Sequence, residues 1–158
     1  MNVNQLPILG AEIRELDLSS DLTDSENLVI KNHLTENLVL IVKDQNLSPK
    51  DLVKISSLWG GAFEHPVFKG LEDTPEVLQI ENMGEQFHTN AHWHSDVTFE
   101  QKPPNVTLLY AIEVPEEGGN TLFSNQYLAY ESLDEAIKSE LDNLRAVHSN
   151  RSILELVG

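Results

Sequence analysis

The stretch Trp93-His94-Ser95-Asp96-Val97-Thr98-Phe99 carries the strongest signal in this chain, and its centre is the triplet His94-x-Asp96. In a strand, residues i and i+2 project from the same face, so an imidazole and a carboxylate at this spacing can reach one metal ion. One further histidine would complete a two-His, one-carboxylate facial triad, the donor set of non-haem iron(II) oxygenases. That triad leaves coordination positions open for a cosubstrate and oxygen. A bare H-x-D triplet means little by itself, because chance produces it and a hydrogen-bonded pair at a strand end also has this form.

The histidines nearby allow two other metal readings. Four of the six lie between His65 and His94, and His88, His92 and His94 fall within seven residues. A cupin-type site needs H-x-H followed by a glutamate and preceded by a glycine at fixed spacing. His92-Trp93-His94 supplies the first part, but Glu100 falls one residue late and Gln86 stands in the glycine's place. His88 and His92 have the i, i+4 spacing of a helical zinc pair, yet Thr89-Asn90 is poor helix sequence and no glutamate follows His88. Both readings lose to H-x-D.

Outward from the triplet, short strands are expected over residues 38–42, 76–81, 106–114, 121–124 and 145–148. They are interrupted by the breaker Pro103-Pro104 and the turn Glu117-Gly118-Gly119-Asn120. Thr23-Asp24-Ser25-Glu26 has capping-box form and opens a helix to about Asn37. Ser48-Pro49-Lys50-Asp51 opens a second helix, which Gly60-Gly61 stops. A longer helix is expected over residues 126–144, with the apolar stripe Leu133, Ile137, Leu141 and Leu144. The pattern is α+β with a mainly β core, a sheet packed on helices in one domain spanning residues 1–158.

Composition narrows the function classes. With 26 acidic and 10 basic residues the chain carries a formal charge of −16, which repels nucleic acid. There are no cysteines, so disulfides, thiolate metal sites and cysteine nucleophiles are excluded. No apolar run approaches the roughly 20 residues of a spanning helix, and the first residues lack signal-peptide form. A cytoplasmic location without membrane partners is expected. Arginine, the residue best suited to holding a carboxylate, occurs only at Arg14, Arg145 and Arg151.

Trp93-His94-Ser95-Asp96-Val97-Thr98-Phe99, Pro103-Pro104, residues 108–114 and Gly118-Gly119-Asn120-Thr121-Leu122-Phe123 together resemble the taurine dioxygenase family of iron(II)- and 2-oxoglutarate-dependent oxygenases. Ala129-Tyr130-Glu131-Ser132-Leu133 and Leu144-Arg145-Ala146-Val147-His148 extend the resemblance. Upstream, so do Gly10-Ala11-Glu12-Ile13, Lys43-Asp44-Gln45 and the segment ending His65-Pro66. The match is collinear over nearly the whole chain. It implies a double-stranded β-helix, or jelly roll, of the clavaminate synthase-like type, incomplete at its C-terminal end.

Residue by residue, the resemblance makes His94 and Asp96 the first two iron(II) ligands, and Thr121 a contact to the carboxylate of 2-oxoglutarate. It makes His65 and Asn90 contacts to a small anionic substrate. Phe68 stands where taurine dioxygenase has a tyrosine, so one substrate-side hydroxyl is missing. The implied reaction hydroxylates such a substrate, with taurine or another sulfonate leading, while 2-oxoglutarate becomes succinate and carbon dioxide. The family's third ligand, a histidine, and its carboxylate-binding arginine come farther after H-x-D than the 62 residues that follow Asp96 here. His148 matches a position that is not a ligand. Two classes are therefore expected: a truncated, inactive form of a dioxygenase, or a non-catalytic half-barrel stabilised as a homodimer.

Overall fold

The alternation in Ala11-Glu12-Ile13-Arg14 sets the centre of the sheet. In the computed structural model, which describes residues 1–81, 92–151 and 154, these four residues form strand β2 (Ala11–Arg14). Ala11 and Ile13 share one face and are 1% and 0% exposed, while Arg14 is in solvent, as a period of two requires. Strand β1 (Asn2–Gln5) pairs antiparallel with β2, and Val3 lies opposite Ile13. Strand β3 (Leu40–Val42) pairs with β2 on its other side in parallel, and Val42 lies opposite Ile13.

Parallel neighbours need a crossover of a dozen or more residues, and helix α1 (Asp24–Asn37) supplies it. Ile30 of α1 and Leu16 after β2 join Ala11 and Ile13 among the buried side chains. At Gly10, φ is +95° and the backbone lies against Val39, whose carbonyl accepts the Ala11 N–H at 2.9 Å. Any side chain there would be strained and crowded.

The chain divides into two compact units, Met1–Leu47 with Tyr110–Arg145, and Ser48–Leu109 with Ala146–Gly158. The sheet and α1 belong to the first. There Gln45 joins the segment after β2 to the segment after β3. It accepts from Leu18 N–H at 2.9 Å and donates to the carbonyls of Leu16 and Lys43 at 2.6 and 2.7 Å. The second unit contains helix α2 (Pro49–Ser56), extended by a 3-10 turn (Ser57–Trp59), with Ile55 buried.

Both expected helix starts are capping boxes. Thr23 and Glu26 satisfy each other's backbone N–H groups at 2.8 and 3.2 Å. The bonds from the Thr23 backbone and hydroxyl hold the Glu26 carboxyl below the usual carboxylate range. Ser48 and Asp51 repeat the arrangement at 2.8 and 3.3 Å, with Pro49 as the first helical residue. Helix α1 ends on Leu38 in the left-handed conformation, φ 66°, so β3 begins only at Leu40 rather than at residue 38. Its residues are half-buried or exposed rather than fully buried.

The remaining strands and the long helix depart from expectation. Residues 126–144 form two short helices, α3 (Gln126–Glu131) and α4 (Glu135–Leu141). The break has a local cause: the Ser132 hydroxyl bonds back to the Ala129 carbonyl at 2.8 Å, and Asp134 takes the extended conformation of an N-cap. The two helices are joined by the Tyr130 hydroxyl donating to Asp142 at 3.1 Å, a bond that raises the Tyr130 pKa.

Residues 76–81, 106–114, 121–124 and 145–148 form no strand ladder. A strand exists only with a partner, and among the described residues no other segment pairs with these as a strand. Leu109, Ile112, Val114 and Leu122 are consequently 69, 87, 70 and 70% exposed. Among the described residues, no helix is long and apolar enough to cross a membrane.

Candidate metal centre

The triplet His94-x-Asp96 lies at the entry to a turn, not in a strand as its spacing suggested. The turn is closed by the Glu100 N–H donating to the Val97 carbonyl at 3.0 Å, with Val97 at φ 52°. A β-branched residue rarely adopts this left-handed conformation, and it costs on the order of 1–3 kcal/mol that neighbouring structure must offset. The turn nevertheless achieves what a strand would have. His94 Nε2 and Asp96 Oδ1 stand 3.4 Å apart, and both side chains are about half exposed.

Each ligand candidate has its other polar atom already engaged. His94 Nδ1 lies 2.7 Å from the His92 carbonyl oxygen, which can only accept. Nδ1 is therefore the donor in that bond, and Nε2 is the nitrogen turned toward Asp96. The Thr107 hydroxyl donates to Asp96 Oδ2 at 2.7 Å, leaving Oδ1 on the side of His94. A second tie holds the turn, because His148 Nδ1 bonds Thr98 Oγ1 at 2.9 Å. Sequence reasoning found neither Thr107 nor the His148 contact, since nothing in their spacing links residue 107 to 96 or residue 148 to 98. It did set His148 aside as a ligand, and here that ring is spent on a threonine.

His65 sits within the same unit. Its Nδ1 accepts the backbone N–H groups of Val67 and Phe68 at 3.1 and 3.0 Å, so the ring proton is on Nε2. The His65 ring packs on Phe68 at 4.8 Å between centroids and meets Phe99, from the turn after Asp96, edge-on at 6.5 Å. Phe68 is 42% exposed. Asn90 lies outside the described residues. Thr121 belongs to the other unit and is exposed. A cleft of about 250 Å³ in the second unit, lined by Trp59, Phe63, Lys102 and Pro103 among others, includes none of these residues.

The donor set suits an iron(II) ion as far as it goes. Two cis donors about 2.1 Å from an octahedral ion stand about 3.0 Å apart, close to the spacing found here. Imidazole nitrogen with carboxylate oxygen is also the donor chemistry of a non-haem iron site. Among the described residues no group of three or more His, Asp or Glu side chains could hold a metal. His94 and Asp96 are thus a pair, one donor short of a facial triad.

A pair of this kind, with one imidazole and one carboxylate each oriented by a hydrogen bond, has the donor chemistry of part of a mononuclear metal site. Residues 2–155 match the family described as Taurine catabolism dioxygenase TauD, TfdA family, and the chain belongs to that family. It is 34% identical over 143 residues to an alkylsulfatase of Acinetobacter baylyi, covering 90% of this chain and 44% of that protein. It is 33% identical, again over 143 residues, to an alpha-ketoglutarate-dependent sulfate ester dioxygenase of Pseudomonas putida, covering 90% of this chain and 47% of the relative. The crystal structure of a taurine dioxygenase from Burkholderia xenovorans matches with a TM-score of 0.75 at 32% identity, over 93% of this chain and 52% of that one. The chain spans about half the length of the relatives it matches.

Proposed function

We propose that this chain provides the iron-binding front part of an iron(II)- and 2-oxoglutarate-dependent dioxygenase that hydroxylates a small sulfonate or sulfate ester, within a jelly-roll fold. The observation that carries the proposal is the 3.4 Å approach of His94 Nε2 to Asp96 Oδ1, with the outer atom of each group already bonded elsewhere. Iron(II) held there would supply the oxidative decarboxylation of 2-oxoglutarate to succinate, coupled to substrate hydroxylation.

The protein's own contribution is ligation, orientation and recognition. His94 and Asp96 hold the metal. His65 has its ring fixed by two backbone bonds and no partner for Nε2–H among the described residues, so it can donate to a sulfonate or sulfate oxygen. The Phe68 ring beside it adds apolar surface without a hydroxyl, which favours an alkyl chain next to the anionic head over a second polar contact. Thr121 is assigned to the 2-oxoglutarate carboxylate, and Asn90 to the substrate. The names of the A. baylyi and P. putida relatives support sulfate esters alongside taurine.

With two protein donors among the described residues, this chain alone is expected to hold iron weakly. The purified chain, given iron(II), 2-oxoglutarate, oxygen and either taurine or an alkyl sulfate, is expected to yield succinate only at the no-enzyme background. Substrate-dependent succinate at many turnovers per chain would overturn the incomplete-site reading.

One observation favours a non-catalytic, self-associating role: the exposed Ile112, Val114, Leu122 and Phe123, which no strand covers among the described residues. The charge of −16 opposes pairing of two copies at low salt. If a homodimer forms, sedimentation should show the dimer fraction rising as salt is raised from low to physiological strength. A salt-independent monomer would remove this reading.

A further inference from the structure

We propose that Thr107 is a positioning residue for the metal, one that makes Asp96 a single-oxygen ligand. The inference rests on the metal-site reading above and adds a residue to it. Thr107 Oγ1 lies 2.7 Å from Asp96 Oδ2, while Asp96 Oδ1 faces His94 Nε2 at 3.4 Å. A threonine hydroxyl donates one proton, and here the acceptor is a carboxylate, which makes the bond charge-assisted and therefore strong. The bond has two consequences. It stops the carboxylate rotating about its terminal torsion, which is otherwise soft. It also draws electron density at Oδ2 toward the hydroxyl, so that Oδ1 is the oxygen presented to a cation.

A carboxylate free to turn can offer both oxygens and occupy two coordination positions. A complete facial triad that must also receive a bidentate cosubstrate and oxygen has no position to spare. Thr107 therefore protects an open position as well as orienting a ligand. The His92 carbonyl does the corresponding work for His94 by holding the proton on Nδ1. Together the two bonds set the donor atoms before any ion arrives, the usual task of groups just outside a metal's ligands. Thr107 reaches the site from the segment after Pro103-Pro104, whose neighbouring side chains Val106 and Leu108 line the cleft beside Trp59 instead.

A purely structural role for Thr107, tying residues 96–99 to residues 103–107, would also explain the bond, so the test must separate the two. Cobalt(II), a redox-stable stand-in for iron(II), is titrated anaerobically into the wild-type chain and into Thr107→Val, Thr107→Ser and His94→Ala, followed by visible absorption. Thermal unfolding of each apo protein is recorded in parallel. Thr107→Val is expected to weaken cobalt binding about 10- to 100-fold and to change the absorption envelope as the carboxylate becomes bidentate. Thr107→Ser, which keeps the hydroxyl, is expected to restore both.

A Thr107→Val variant that unfolds at lower temperature but binds cobalt with wild-type affinity and spectrum would overturn the proposal in favour of the structural role. If Thr107→Val does not fold, a Thr107→Ser variant with altered affinity or spectrum contradicts the proposal, and one matching wild type in both supports it. If His94→Ala binds cobalt as well as wild type does, the metal-site reading itself fails. If only Thr107→Val is silent, the metal site stands and this inference alone falls.

Discussion

Ile13→Ala is expected to lower the unfolding free energy of the sheet-bearing unit by about 3 kcal/mol, within the ~2–5 kcal/mol range for truncating a buried isoleucine. Among the described residues Ile13 is the largest side chain with essentially no solvent exposure, and it stands in the central strand between Val3 and Val42. Only three other hydrophobic side chains of that unit, Ala11, Leu16 and Ile30, are buried among the described residues. So small a core has little means of collapsing around the cavity. Domains are stable by only about 5–15 kcal/mol, so the loss is a large share of the whole. Ile8, on the loop between β1 and β2 and 95% exposed, provides the control. Its alanine variant should change stability by no more than about 0.5 kcal/mol. Urea unfolding followed by circular dichroism measures both. Equal effects at the two positions would mean that β2 is not the core.

The second large effect concerns the metal. Removing either donor, by His94→Ala or Asp96→Ala, is expected to reduce metal affinity by at least about a hundredfold, beyond what removal of an outer hydrogen-bond partner does. If the site has the two protein donors found among the described residues, losing one leaves a single contact no different from that of any exposed histidine or aspartate. Both side chains are about half exposed, so neither variant should disturb the fold. Unchanged cobalt affinity in either variant, with wild-type thermal unfolding, would place the metal elsewhere.

Much of this was legible in the sequence, because the signals were local. Thr23 and Glu26, or Ser48 and Asp51, announce helix starts within four residues, and both boxes formed. The alternation of Ala11-Glu12-Ile13-Arg14 is a strand within a single motif, though sequence reading used it only as part of a resemblance. The failures were of two kinds. Residues 106–114 and 121–124 have strand composition, but a ladder depends on a partner that no local pattern can supply. The long helix over residues 126–144 failed for a local reason that was readable: Ser132 and Asp134 prefer ends of helices to their interiors.

His94 and Asp96 were singled out by spacing, and the structure brings them to 3.4 Å, although the strand geometry first invoked for them is replaced by a strained turn at Val97. His65 was flagged both as a substrate contact and as a turn histidine. Its Nδ1 performs the second role while leaving Nε2 available for the first. Thr107 was invisible because the bond that matters spans eleven residues and a Pro-Pro break.

The proposed function requires that one imidazole and one carboxylate of this chain, His94 and Asp96, take the metal. X-ray absorption at the cobalt edge of the cobalt(II)-loaded chain tests it most directly, because imidazole rings scatter distinctively and can be counted. One imidazole per cobalt is expected, with the remaining donors oxygen at about 2.1 Å. Two or more imidazoles would point instead to the His88, His92 and His94 cluster, and none would remove the site altogether.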